Sequence, residues 1–138
     1  QNLSTSTTLS KLLQTHNAQK RPIGAVCAAP SLVLAPIGLL PPCGGSTCYP
    51  QYSLRSKLLK PVNYSVVVQD HVITSQGPGT SLLFALQLGE VLYGKKKADC
   101  VAKKMLVLRQ EAVLVEAPRP PSPPSASSSE NKEAAKMK

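Results

Sequence analysis

Tryptophan is absent from the 138 residues and phenylalanine occurs once, so the sequence has no run of aromatic rings interleaved with charge on which nucleic-acid bases would stack. Acid is scarce as well, with seven Asp and Glu against sixteen Lys and Arg and a net charge of +9. The excess is not made at the end of the chain: residues 1–116 hold twelve basic side chains and five acidic ones. Lys95–Lys97 is the one dense run, and a solvated basic surface is expected rather than a nucleic-acid site. One uncharged stretch, Ile23 to Pro42, is the length that a membrane-crossing helix needs, but Pro30, Pro36, Pro41 and Pro42 would remove backbone donors throughout it. No membrane span is expected.

Paired metal-ligand spacings are also lacking. Cys43 and Cys48 are close in "CGGSTC", yet no second close pair follows and neither His16 nor His71 completes a tetrahedral set, which disfavours zinc. The chain opens on Gln1 with no charged leader or early apolar run, and this reads as a fragment or processed product. Its thiols then belong in a reducing, cytoplasmic compartment, with plastid or nucleus as alternatives, and no disulfide framework is expected.

What is present divides in two. Residues 116–138, "EAPRPPSPPSASSSENKEAAKMK", are Pro, Ser, Ala and charge, which cannot bury enough apolar area to order, and the folded domain is placed at 1–115. Within it a helix is expected over Ser4–Gln19 and a strand over "PIGAVC". A helix over Ala28–Ala35 follows, closed by Pro36 and Gly38. Then come a short strand at "STCYP", one or two helical turns at "QYSLRSKLL", and a β-hairpin about Gln69–His71. Gly77, Pro78 and Gly79 form a tight turn into a helix that Gly94 ends; a shorter helix holds Asp99 and Cys100, and "MLVL" is a last strand. Strands alternating with helices give an α/β fold, its sheet largely parallel with an antiparallel hairpin attached.

In such sheets chemistry gathers at the carboxyl ends of strands, where this reading places Cys27. Ala25 and Ala29 hold the positions two before and two after it and Ala28 follows directly, as the crowded corner of a nucleophile elbow requires. A following helix would stabilise a thiolate there. By itself the pattern favours an inert core cysteine, since free cysteines are among the most buried residues.

"GAVCAAPSLVLAPIGLL", "TCYP" and "VITSQGPGTSLLFALQLGEVLYGKKKA" closely resemble the DJ-1/PfpI family over about Gln1–Leu108. The resemblance implies a flavodoxin-like three-layer sandwich in the class I glutamine amidotransferase-like superfamily, with Cys27 the nucleophile and redox-sensitive thiol. It also implies Tyr49 and the turn Gly77-Pro78-Gly79 near the pocket, with glycines there that a β-carbon would disturb. Members act as glutathione-independent glyoxalases or deglycases on reactive aldehydes and glycated adducts, without metal or organic cofactor. Others protect or chaperone under oxidative stress, and some are peptidases. The family begins with a βαβ portion carrying a glutamate and a Gly-Gly oxyanion turn; neither has an equivalent here, so the N-terminal strands are expected to be missing. Tyr49 stands where many members have histidine, and Gln76 where arginine is frequent. The implied activity is a cysteine-dependent glyoxalase or deglycase, homodimeric when complete and inactive as this piece alone. The rival is a redox-sensing or chaperone-like protein using the same cysteine.

Overall fold

Residues 2–109 and 113–114 are described by the computed structural model. Helix α1, Thr7–Ala18, starts where the Ser6 hydroxyl accepts from the Leu9 amide at 3.2 Å, a side-chain cap for one of the orphan donors of its first turn. The chain then enters strand β1, Ile23–Val26, and after Cys27 and Ala28 passes through a π-helical turn, Pro30–Leu34, into a 3-10 turn, Ala35–Ile37. Gly38 closes that segment with φ +70, the left-handed conformation a helix end commonly needs.

Helix α2 is a single turn, Tyr52–Arg55. Strands β2, Val66–Gln69, and β3, Val72–Ser75, form the expected hairpin, and Asp70 takes the turn's positive φ of 53. Helix α3 runs Ser81–Tyr93, helix α4 Lys95–Lys104, and strand β4 is Val113–Leu114. The sheet order is β1-β3-β2-β4, with β1–β3 and β2–β4 parallel and β2–β3 antiparallel. The outer edge of β1 therefore pairs with no described strand.

Alternation along these strands builds a core on each face. On one, Ile23, Ala25 and Val72 pack with Leu34, Leu39, Leu40, Cys48 and Leu58, and Leu13 of α1 closes over them. On the other, Val66, Val68 and Ile73 meet Leu83, Phe84 and Leu88 of α3. Helix, sheet and helix make three layers, a partial flavodoxin-like sandwich as expected.

Two expected strands are corrected. "STCYP" makes only an isolated bridge, Ser46 to Pro61, because its amides are spent on other partners: Thr47 donates to the Thr74 hydroxyl and Tyr49 to the Cys27 carbonyl. Met105–Leu108 is a turn that closes α4 rather than a strand, and the last pairing comes at Val113–Leu114. The Pro/Ser-rich segment expected to be disordered, residues 116–138, lies outside the described residues.

Gly24 faces α3, and a β-carbon there would sit 2.7 Å from Phe84 Cζ. The close approach of sheet and helix thus depends on a missing side chain. Gly24→Ala is expected to destabilise the chain by about 1–3 kcal/mol, the usual cost of overpacking, read as a lower urea midpoint with unchanged slope.

His71 ties the β2–β3 hairpin to helix α1, its Nε2 lying 2.9 Å from Asn17 Oδ1. Burial lowers its pKa from the ordinary 6.5, Lys20 adds to the lowering, and Asp70 opposes it. As pH falls below 6.5 the unfolded chain takes a proton that the folded chain still resists, so stability drops in that window. Melting temperature is expected to fall between pH 7.5 and pH 5.5, and to fall less in His71→Gln.

Candidate active site

At the carboxyl end of β1 the backbone reverses sharply. Cys27 takes φ +64, a left-handed conformation that costs a residue with a β-carbon about 1–2 kcal/mol. Two long-range hydrogen bonds hold it there: the Cys27 amide donates to the Ser75 carbonyl at 3.0 Å, and the Cys27 carbonyl accepts from the Tyr49 amide at 2.9 Å. The first extends the β1–β3 ladder by one residue, and the second fastens the Thr47–Pro50 segment to the corner. The thiol is left half-buried, whereas Cys48 is buried and Cys43 and Cys100 are exposed.

Small neighbours make the corner possible. Ala25 is buried in the core behind it, and Ala28 and Ala29 line a groove of about 370 Å³ with Asn2, Leu3, Ser4, Leu32 and Val33. That volume suits a small organic molecule, held against residues that directly follow Cys27 in the chain. Tyr49 has its ring near Gly77, where a β-carbon would lie 3.5 Å from Tyr49 Cδ2. Cys27, Ala28, Ala29, Tyr49 and Gly77 are thus gathered about one corner.

Pro78 and Gly79 sit instead on an exposed 3-10 turn, and the expected demand for glycine at this turn is corrected. Gly77 has φ 167, extended backbone open to any residue, and a β-carbon at Gly79 would meet nothing within 4 Å. The turn is held by side chains. The Thr80 hydroxyl accepts from the Gly77 amide at 3.0 Å and lies 2.7 Å from the Ser75 hydroxyl, which donates to the Ser65 carbonyl at 2.7 Å. Ser75 therefore anchors Cys27 through its carbonyl and the following turn through its hydroxyl. Sequence reasoning passed over it, although a polar residue closing a buried strand beside "GPGT" was a usable signal. Gln76 is turned away and donates to Asn63 Oδ1 at 3.1 Å.

The described carboxylates are elsewhere. Asp70 occupies the hairpin turn, at the opposite end of β3 from Ser75, and the Arg109 guanidinium binds both Glu90 and Asp99. Among the described residues, then, the corner presents a free thiol with no carboxylate beside it.

Cys27 is thus a strained residue between a strand and a helical turn, followed directly by two alanines that line a groove. The model of the DJ-1/PfpI family matches residues 1–91. The chain belongs to the DJ-1/PfpI family. Protein DJ-1 homolog B of Arabidopsis thaliana is 37% identical over 99 residues, covering 72% of this chain and 22% of its own length. The glutathione-independent glyoxalase DJR-1.2 of Caenorhabditis elegans is 34% identical over 105 residues, covering 73% of this chain and 54% of that protein. The solved structure of oxidized Toxoplasma gondii DJ-1 superposes with a TM-score of 0.69 at 35% identity, over 75% of this chain and 56% of that one. The chain thus spans about half the length of the worm and Toxoplasma proteins and a smaller share of the plant one.

The left-handed corner makes a test that is independent of activity. At an ordinary position glycine is less stable than alanine, but at φ +64 the order should invert. Cys27→Gly is expected to melt above Cys27→Ala by an amount equivalent to about 1 kcal/mol. Equal or reversed melting temperatures would remove the strain from the description of this corner.

Proposed function

We propose that Cys27 is the nucleophile of a glyoxalase or deglycase reaction on reactive aldehydes, methylglyoxal or its early adducts with amines and thiols, carried out by the complete domain. The observation that carries this reading is the left-handed φ of Cys27, a strain that two backbone hydrogen bonds maintain directly before Ala28 and Ala29, which line a small groove. Its family relative DJR-1.2 bears the name of such an enzyme.

The Cys27 thiolate adds to the aldehyde carbon, and the carbonyl oxygen takes up a proton to give a hemithioacetal. A base then removes the hydrogen on that carbon and a proton is delivered to the neighbouring carbonyl carbon, leaving the thioester of a 2-hydroxy acid. Water cleaves the thioester, releasing lactate and restoring the thiol. The sum is methylglyoxal plus water to lactate, and no step requires a metal or organic cofactor. Since the described carboxylates lie away from the corner, the proton-moving group comes from the glutamate-bearing portion with which the family begins. Tyr49, joined to the Cys27 carbonyl through its amide, stands in place of the histidine of many members. The complete protein is a homodimer of the cytoplasm.

A second reading keeps the cysteine and drops the turnover. Cys27 is oxidised by peroxide to a sulfenic or sulfinic acid, and the change in charge at the groove alters partners in a stress response. The half-exposed thiol supports it, as does the oxidised state in which the Toxoplasma relative was solved.

Lactate formation from methylglyoxal separates the two. A chain extended upstream by the family's βαβ portion is expected to turn methylglyoxal over and to lose at least about a hundredfold in kcat/KM on Cys27→Ser. Residues 1–138 alone are expected to show negligible turnover. An active extended chain that tolerates Cys27→Ser would refute both readings of the cysteine, and an inactive one whose Cys27 oxidises ahead of Cys43 and Cys100 would leave the redox reading.

A further inference from the structure

The turn after β3 carries a run of hydroxyl groups whose protons can be assigned from their neighbours. Ser75 is fully buried, and its hydroxyl donates to the Ser65 carbonyl at 2.7 Å. With its one proton spent there, it accepts from the Thr80 hydroxyl, 2.7 Å away. Thr80 Oγ1 also lies 3.0 Å from the Gly77 carbonyl, but that oxygen already accepts from the Thr80 amide at 3.0 Å and from the Ser81 hydroxyl at 3.1 Å. The single Thr80 proton therefore goes to Ser75, and Thr80 Oγ1 receives the Gly77 amide at 3.0 Å. The hydrogen bonds then run in one direction, from the Gly77 amide through Thr80 and Ser75 to the Ser65 carbonyl, and bonds aligned in this way strengthen one another.

Ser75 carries the effect beyond the turn. Its carbonyl accepts from the Cys27 amide, and the Cys27 carbonyl accepts from the Tyr49 amide. The Tyr49 ring in turn lies near Gly77, where the hydroxyl run begins. These contacts close a ring, from Cys27 to Ser75, Thr80, Gly77, Tyr49 and back to Cys27. Through one oxygen Thr80 holds both Ser75 and Gly77. Without that oxygen the two are joined only by the backbone of Gln76, whose side chain is bonded elsewhere, to Asn63.

A left-handed residue with a β-carbon persists only where its surroundings over-determine it. We infer that Thr80, acting through Ser75, is a positioning residue for the Cys27 thiol: its hydroxyl fixes the end of β3, and with it the carbonyl that keeps Cys27 at φ +64. The chemical consequence rests on the reading of Cys27 as the nucleophile, while the hold itself is measured without turnover, so failure of the one is distinguishable from failure of the other.

Amide hydrogen exchange and melting of the 138-residue chain test it. Thr80→Val removes the hydroxyl, Thr80→Ser keeps it, and Ser81→Ala loosens the same turn outside the hydroxyl run. In Thr80→Val the Cys27 amide is expected to exchange roughly tenfold faster, while the Ile23 amide, bonded to the His71 carbonyl at the other end of the β1–β3 ladder, keeps its rate. The advantage in melting temperature of Cys27→Gly over Cys27→Ala should shrink by roughly half in the Thr80→Val background, because a looser corner lets alanine leave the left-handed region. Thr80→Ser should restore both values, and Ser81→Ala should leave both unchanged. Ser75→Ala breaks the same run at its next member; it should reproduce Thr80→Val, and the two together should do no more than either alone. Equal acceleration of the Cys27 and Ile23 amides, an unchanged melting difference in both Thr80→Val and Ser75→Ala, or a Thr80→Ser that behaves like Thr80→Val would each overturn the proposal.

Discussion

The amide of Cys27 and the carbonyl of Ser75, 3.0 Å apart, form the hydrogen bond on which the arrangement of this molecule turns. It is the last rung of the parallel β1–β3 ladder, placed one residue beyond the strand so that Cys27 is fixed before the chain bends away. Parallel ladders join segments distant in sequence, here forty-eight residues apart, so the rung depends on the hairpin β2–β3 having formed. The Tyr49 amide then takes the Cys27 carbonyl, and the corner is held from both sides. A single left-handed residue survives only where its surroundings over-determine it. Both of its backbone polar groups being occupied is what does so here.

Small residues follow from the same constraint. Ala25 lies behind the corner in the core shared with Leu34 and Cys48, while Gly24 points to the opposite face and lets Phe84 of α3 approach to contact. A bulkier residue at 24 would lift α3 from the sheet. Since α3 begins at Ser81, just after the Ser75–Thr80 hydroxyl pair, that displacement would pull on the residue whose carbonyl anchors Cys27. Core packing and the geometry of the candidate site are therefore one problem. Arg109 makes a comparable tie at the far end of α3, drawing Glu90 and Asp99 to one guanidinium and so fixing α4 against α3.

Much of this was legible because local and long-range preferences agreed. The β-branched runs around Asp70 specify a hairpin, and the alternating small residues about Cys27 specify a crowded strand-to-helix corner. Errors arose where the two preferences parted. Met105–Leu108 has strand-like composition, but the Schellman bonds at the end of α4 take its first amides before a ladder can. "STCYP" likewise gives its amides to Thr74 and Cys27 rather than to a neighbouring strand. The turn at Gly77 and Gly79 looks as if it requires glycine, yet its shape comes from the Thr80 hydroxyl. The glycines with close neighbours, Gly24 beneath Phe84, Gly44 beside Gln69 and Gly45 beside Val62, contact residues distant in sequence, which no local pattern records.

The charge distribution separates the chemistry of the corner from the rest of the surface. In the described residues carboxylates occur at Asp70, Glu90 and Asp99 only, and the last two are held by Arg109. Among the described residues the Cys27 corner has no carboxylate beside it. The forces that hold Cys27 are backbone hydrogen bonds and alanine packing, and both are local to β1, β3 and the Thr47–Pro50 segment. The outer edge of β1, on the side away from β3, pairs with no described strand.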